Sequence, residues 1–155
     1  MTGRDQTTMR TLVRLTVTAS AALLLTMAGT APGIAAPVGV TAHCTGSGCA
    51  GKSPASTGCD HHARTVRRSA EIGPLVELRY SSACRAAWVR VTHARGGDRI
   101  EARNKGGACR RKSCYATTVA PGRSSAYTAM VNNKGIKAWG CLHRRNGNVV
   151  CTEAH

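Results

Sequence analysis

The sequence predicts an all-β fold: a small disulfide-stapled barrel or sandwich with an extended N-terminal arm. Three observations lead there. Short runs of alternating apolar and polar residues recur along the chain, with no long helical pattern between them. Turn signals separate these runs, as at Gly96-Gly97-Asp98, Asn132-Asn133-Lys134-Gly135 and Arg145-Asn146-Gly147. Eight cysteines (Cys44, Cys49, Cys59, Cys84, Cys109, Cys114, Cys141 and Cys151) all follow an N-terminal apolar segment. An even set in a short exported chain reads as a disulfide framework, not as reactive thiols.

Residues 1–35 have the three parts of a secretory signal peptide. Arg4, Arg10 and Arg14 make a basic start, residues 15–28 are apolar, and Gly33-Ile34-Ala35-Ala36 offers small residues for cleavage. The apolar run is short for a bilayer span, and no basic cluster follows it directly. The expectation is a secreted, extracellular protein with no stable membrane insertion after cleavage.

Residues 36–56 are the predicted arm, rich in Gly, Ser, Thr, Ala and Pro and tied down where Cys44 and Cys49 close a small loop. Val38 and Val40 stand at strand alternation. A partner with an exposed sheet edge can take up such a segment as an added strand; otherwise it is a frayed terminus.

Residues 57–155 form the β domain. It opens with a short helical turn or loop that holds Cys59, His61, His62, Arg64, Arg67 and Arg68. Residues 75–81 then alternate, with Val76, Leu78 and Tyr80 on one face and Glu77 and Arg79 on the other. Further strands are expected at 87–92, 99–103, 114–119, 126–131, 136–142 and 149–152. Tyr80 and Trp88 are assigned to the core, and Glu77 and Arg79 to a supporting ion pair.

The last hairpin permits a sharper expectation. A two-residue Asn146-Gly147 turn places Cys141 opposite Thr152. A three-residue loop, Arg145-Asn146-Gly147 with Gly147 left-handed, places Cys141 opposite Cys151, and glycine is favoured at that third position. The predicted bridge is therefore Cys141–Cys151. Proximity in sequence suggests Cys44–Cys49, Cys109–Cys114 and Cys59–Cys84 for the rest.

Composition bounds what such a domain can be. Its mature part, about 120 residues, makes one modest domain. The chain has no Phe, two Trp and three Tyr, so little aromatic area is available to bury. Cross-links, typically about 2–4 kcal/mol each, make up the difference. Lys and Arg total 22 against 7 Asp and Glu, a formal charge of +15. Loss of the leader leaves about +13. That charge attracts polyanions: nucleic acid, anionic wall polymers or acidic proteins.

Three basic clusters stand out: Arg64/Arg67/Arg68, Lys105/Arg110/Arg111/Lys112 and Arg144/Arg145. The middle one lies in a loop braced by Cys109 and Cys114, which lowers the entropy cost of presenting it. Arg110, Arg111 and Lys112, with Tyr115 beside them, are its candidate binding residues. One ring per cluster is few for stacking single-stranded bases. An acidic protein partner or an anionic wall polymer fits better than nucleic acid.

Catalytic signals are weak. A ribonuclease would draw on Glu77, His93, His143 and Arg79 as acid, base and cation, but nothing in their spacing selects them. No Gly-x-Ser-x-Gly elbow is present. Cys59-Asp60-His61-His62 has metal-ligand types, yet oxidised cysteines do not bind metal and adjacent histidines diverge on a strand. No catalytic residue, metal or cofactor is assigned. The expected function is non-enzymatic binding or adaptor work. A ribonuclease, another polyanion-directed enzyme or an inhibitor of an extracellular hydrolase is the alternative.

One block carries a family resemblance. Cys44, Cys49, Gly51-Lys52-Ser53-Pro54, Cys59, Glu77-Leu78-Arg79-Tyr80-Ser81, Cys84 and Ala86-Ala87-Trp88 resemble the domain-of-unknown-function 2690 family of secreted actinobacterial proteins. The family usually has Asp where Ser53 stands and Asp-Ala where His62-Ala63 stands. The resemblance implies an extracellular β domain and no established catalytic residues. Small secreted β proteins of this kind also resemble the adaptor subunits of actinobacterial umbrella toxin particles, which implies a role in joining subunits of a toxin complex.

Overall fold

A computed structural model describes residues 41–69, 73–106 and 114–155. Nine strands form two antiparallel sheets, and no α-helix occurs among the described residues. The first sheet contains β1 (Arg64–Arg68), β2 (Leu75–Ser81), β3 (Ala86–Thr92), β6 (Ala126–Tyr127) and β7 (Val131–Asn132). Its order is β1-β2-β3, with β6 and β7 both pairing β3. The second has the order β5-β4-β8-β9, from β4 (Arg99–Asn104), β5 (Cys114–Thr118), β8 (Ala138–His143) and β9 (Val149–Cys151). The sheets do not close, so of the two expected architectures the protein adopts the sandwich. No helix among the described residues is long and apolar enough to cross a membrane.

Alternation places the core between the sheets. Val76 and Leu78 of β2, Ala87, Val89 and Val91 of β3, Ile100 and Ala102 of β4, Leu142 of β8 and Val150 of β9 belong to one buried cluster. Tyr80 packs against that cluster from its rim and meets His155 edge-on at 5.1 Å. Gly140 of β8 faces Val89 of the opposite sheet, and a Cβ there would fall 2.2 Å from Val89 Cγ2. Only glycine allows that close approach of the two layers.

The other face of β3 is also covered. Ala86 and Trp88 lie in a second cluster with Met130 and the half-cystines Cys49, Cys59 and Cys84. The segment expected as an arm supplies this cover from His43 onward. A 3-10 turn, Gly46–Cys49, forms within it. Its backbone is bonded to the domain: His43 N–H to Thr57 O at 3.1 Å, Gly46 N–H to Cys84 O at 2.7 Å and Gly51 N–H to Met130 O at 2.9 Å. The described part of the arm is thus a docked cap. Polar, glycine-rich composition conceals this, because the cap contributes mainly sulfur and backbone.

Two expectations about strands need correction. Residues 64–68, expected as a turn or loop, form β1, with a register shift between Thr65 and Arg67. Val66 is its sole apolar residue, so a sequence period cannot reveal it. Basic side chains suit a sheet edge, where they discourage pairing with another chain. Residues 126–131, expected as one strand, instead form the short pieces β6 and β7. Between them Thr128 turns its hydroxyl to the Val89 N–H, while Met130 N–H turns away to Lys52 O.

The last hairpin is the predicted one. Cys141 stands opposite Cys151 and His143 opposite Val149, Arg144 N–H reaches Asn148 O at 2.8 Å, and Gly147 has φ +87°. Disulfides Cys44–Cys49, Cys59–Cys84 and Cys141–Cys151 are all formed. The expected Cys109–Cys114 bridge lies outside the described residues because of Cys109.

Candidate basic cleft

The outer faces of the sheets each bury one carboxylate among arginines. On the first sheet, Glu77 is directly opposite Arg90 of β3 and beside Arg68 of β1. Arg90 Nη2 lies 2.6 Å from Glu77 Oε2, and Arg68 Nε 3.5 Å from Oε1. The expected Glu77–Arg79 pair does not form. Arg90 and Arg68, directly across from Glu77 on its two neighbouring strands, take its two carboxylate oxygens. Arg79 instead donates to Ala63 O and to Thr65 Oγ1, and Thr65 Oγ1 donates to Glu77. Burial pushes the Glu77 carboxyl upward, but the bonds from Arg90 and Thr65 and the charges of Arg90 and Arg68 hold it below its ordinary value.

Sequence reasoning did not single out Glu101, the buried carboxylate of the second sheet, which is held by arginines of its own strand. Arg99 Nη1 lies 2.7 Å from its Oε2, Arg103 Nε bonds its Oε1, and His143 Nε2 is 3.3 Å away. Burial raises this carboxyl too, and the bonds from Arg103 and Arg99 more than reverse the effect. The i, i+2 run Arg99-Ile100-Glu101-Ala102-Arg103 was the available signal. These carboxylates are held as anions by arginine and act as clamps on the sheets.

At one end of the sandwich three loops enclose a cleft of about 830 Å³. Gly73 and Pro74 precede β2, His93, Arg95, Gly96 and Asp98 lie between β3 and β4, and Arg144, Arg145 and Asn146 form the β8–β9 hairpin tip. Asp98, 3% exposed, organises it. Its Oδ2 accepts the Arg95 N–H at 2.9 Å and its Oδ1 the Arg145 N–H at 3.2 Å, which joins two loops distant in sequence. The neighbouring backbone is fixed by Gly97 N–H to Val119 O and Val119 N–H to Asp98 O, both 2.8 Å. His93 is held at φ +57°, a costly conformation for a non-glycine residue.

The cleft is strongly cationic. Three guanidinium groups, Arg95, Arg144 and Arg145, share it with one carboxylate. That carboxylate is already committed to backbone donors. Arg144 Nε and Nη2 are shielded from solvent and have no hydrogen-bond partner among the described residues. These two atoms form the edge of the guanidinium that meets a carboxylate or phosphate with two parallel bonds.

The structure distributes the sequence-predicted residues unevenly. Val38, Val40, Arg110, Arg111 and Lys112 lie outside the described residues. Tyr115 pairs with Ala102 on β5, and its ring packs on the core and against Gly51. Burial raises its hydroxyl pKa. Arg144 and Arg145 enter the cleft, whereas Arg64, Arg67 and Arg68 line the β1 edge. Glu77, Arg79, His93 and His143 are not brought together: the first two lie on one outer face, His143 on the other and His93 in the cleft. His61 and His62 are exposed and join no group of metal-ligand side chains among the described residues.

The fold and cleft define a class: a small, basic, disulfide-stapled β-sandwich with a cationic pocket at its loop end. Within that class the chain belongs to the family described as "Protein of unknown function (DUF2690)", whose profile matches residues 47–141. The match begins past Cys44 and runs beyond Trp88 to include the whole of β4 and β5 and most of β8. No curated protein and no solved structure matches the chain.

Proposed function

We propose that this is a secreted, non-enzymatic binding module that grips an acidic extracellular protein at the arginine cleft. The observation that carries the reading is the unpartnered Nε/Nη2 edge of Arg144, a buried cationic donor pair beside a cleft that also holds Arg95 and Arg145. Buried donors of this kind are costly unless an acceptor completes them. A carboxylate from the partner completes this one with two parallel bonds once the Arg144 side chain swings this edge away from Gly73 into the cleft. The disulfide framework and the basic surface suit an extracellular setting. In its most specific form the reading makes the protein an adaptor that joins subunits of an extracellular toxin complex.

The test is capture of partners from culture supernatant by the non-reduced protein, with identification by mass spectrometry. The wild type is expected to retain an acidic protein in stoichiometric amount, and the Arg95→Ala/Arg144→Ala/Arg145→Ala variant to lose it. Affinity should also fall with added salt. Equal capture by both proteins, or a wild type that elutes as a lone monomer, removes the reading.

A further inference from the structure

Two of the disulfides are packed against each other. The sulfurs of Cys44, Cys49, Cys59 and Cys84 all lie within 4.8 Å of one another. Across the two bridges, Cys44 Sγ is 3.8 Å from Cys59 Sγ. Three of these cysteines are buried, while half-buried Cys44 leaves a way in from solvent.

The scaffold that gathers them does not depend on the S–S bonds alone. Gly46 N–H holds the 3-10 turn to Cys84 O at 2.7 Å, and Cys59 N–H bonds Pro54 O at 3.0 Å. Cys84 N–H bonds Ser81 Oγ at 3.2 Å. Thr57 Oγ1 lies 3.1 Å from Cys59 Sγ and 2.9 Å from Ser53 O, so its one proton can turn from the carbonyl to a thiolate. Trp88 and Met130 pack against the group from the domain side.

A zinc ion with four thiolates at about 2.3 Å places neighbouring sulfurs about 3.8 Å apart. The cross-bridge pair Cys44–Cys59 already has that spacing, and all four sulfurs lie within 4.8 Å of one another. Opening each bridge lets its two bonded sulfurs separate from about 2 Å to the same distance. We propose that, with both bridges reduced, Cys44, Cys49, Cys59 and Cys84 bind one Zn²⁺, so that metal and disulfides are alternative occupants of one place. The oxidised protein does not bind the metal there. Two equivalents of a dithiol reductant supply four electrons, open both bridges to four thiols and become disulfides themselves. Zinc binding then releases the four thiol protons. The site carries two net negative charges. Zinc replaces the lost cross-links and keeps the cap on Trp88.

The site is tested on the full chain, reduced with a phosphine and titrated anaerobically with Co²⁺, then with Zn²⁺. One Co²⁺ per chain is expected, with a sulfur-to-cobalt charge-transfer band and tetrahedral d–d bands that Zn²⁺ abolishes. Cys141→Ser/Cys151→Ser should keep both bands, and Cys59→Ser/Cys84→Ser should bind at least tenfold more weakly. Near-ultraviolet circular dichroism follows folding separately: Zn²⁺ should restore the tryptophan signal of the reduced wild type and not of the Cys59/Cys84 variant. Absence of thiolate–cobalt bands, equal bands in that variant, or a reduced chain that Zn²⁺ leaves unfolded each overturns the proposal.

Discussion

Thr128 and Val89 bond each other twice. Thr128 N–H donates to Val89 O at 2.9 Å, and Thr128 Oγ1 accepts the Val89 N–H at 3.1 Å. A side chain thus replaces one rung of the ladder at the point where the edge of the first sheet divides into β6 and β7. Thr128→Val keeps the shape but leaves a buried N–H unpaired. We expect a loss of about 1–3 kcal/mol in urea unfolding, with Thr128→Ser losing less. Equal stability of the Val variant and the wild type would refute the role given to the hydroxyl.

Gly140 and Val89 set the spacing between the sheets. Gly140→Ala forces a methyl group into Val89, at a cost of about 1–3 kcal/mol for overpacking. Val89→Ala frees that space, so the double variant should be more stable than the sum of the single changes implies. Simple additivity in a double-mutant cycle would show that the contact is not limiting.

Acid should weaken both sheets through their buried carboxylates. Glu77 and Glu101 are held below the ordinary carboxylate pKa when folded. Their contribution is therefore complete above the unfolded pKa and disappears as pH falls through the folded one. Stability measured from neutral pH down to about pH 3 should decline. The decline should be shallower in Glu77→Gln and in Glu101→Gln. An unchanged profile in both variants would mean that other groups control acid unfolding.

The cleft should depend on Asp98 as much as on its arginines. Asp98→Ala leaves the Arg95 and Arg145 backbone N–H groups without their acceptor, at a cost of about 1–3 kcal/mol. It also releases the hairpin tip from the β3–β4 loop, so capture of an acidic partner should fall with the arginines intact. If capture is preserved while stability falls, Asp98 serves only the fold.

The Cys141–Cys151 bridge closes a loop of 10 residues. Cys141→Ser/Cys151→Ser should lose about 2–4 kcal/mol in thermal or denaturant unfolding. A loss well below that range would place most of the hairpin's stability in Leu142, Val150 and the Gly147 turn.

Local chemistry was legible in the chain. Alternation in residues 75–81 gave β2 with its actual bounds, and a glycine at the third loop position set the register that joins Cys141 to Cys151. Those signals lie within one strand or one turn, where period and φ preference decide the outcome. β1 was hidden because an edge strand of arginines needs only one side chain in the core. Glu101 was overlooked although Arg99 and Arg103 flank it in sequence, because its burial comes from the strands β5 and β8 on either side of β4.

An all-β chain, its basic charge and the Cys141–Cys151 pairing were written in the sequence, since alternation, charge and the glycine of one turn are local properties. Tertiary structure alone decided that Gly73, His93, Arg95, Asp98 and Arg144 share one cleft, and that four cysteines from a cap and a hairpin converge. Loop ends distant in sequence meet only once the sheets pack. The buried Asp98 carboxylate and the close Gly140–Val89 contact fix how they meet.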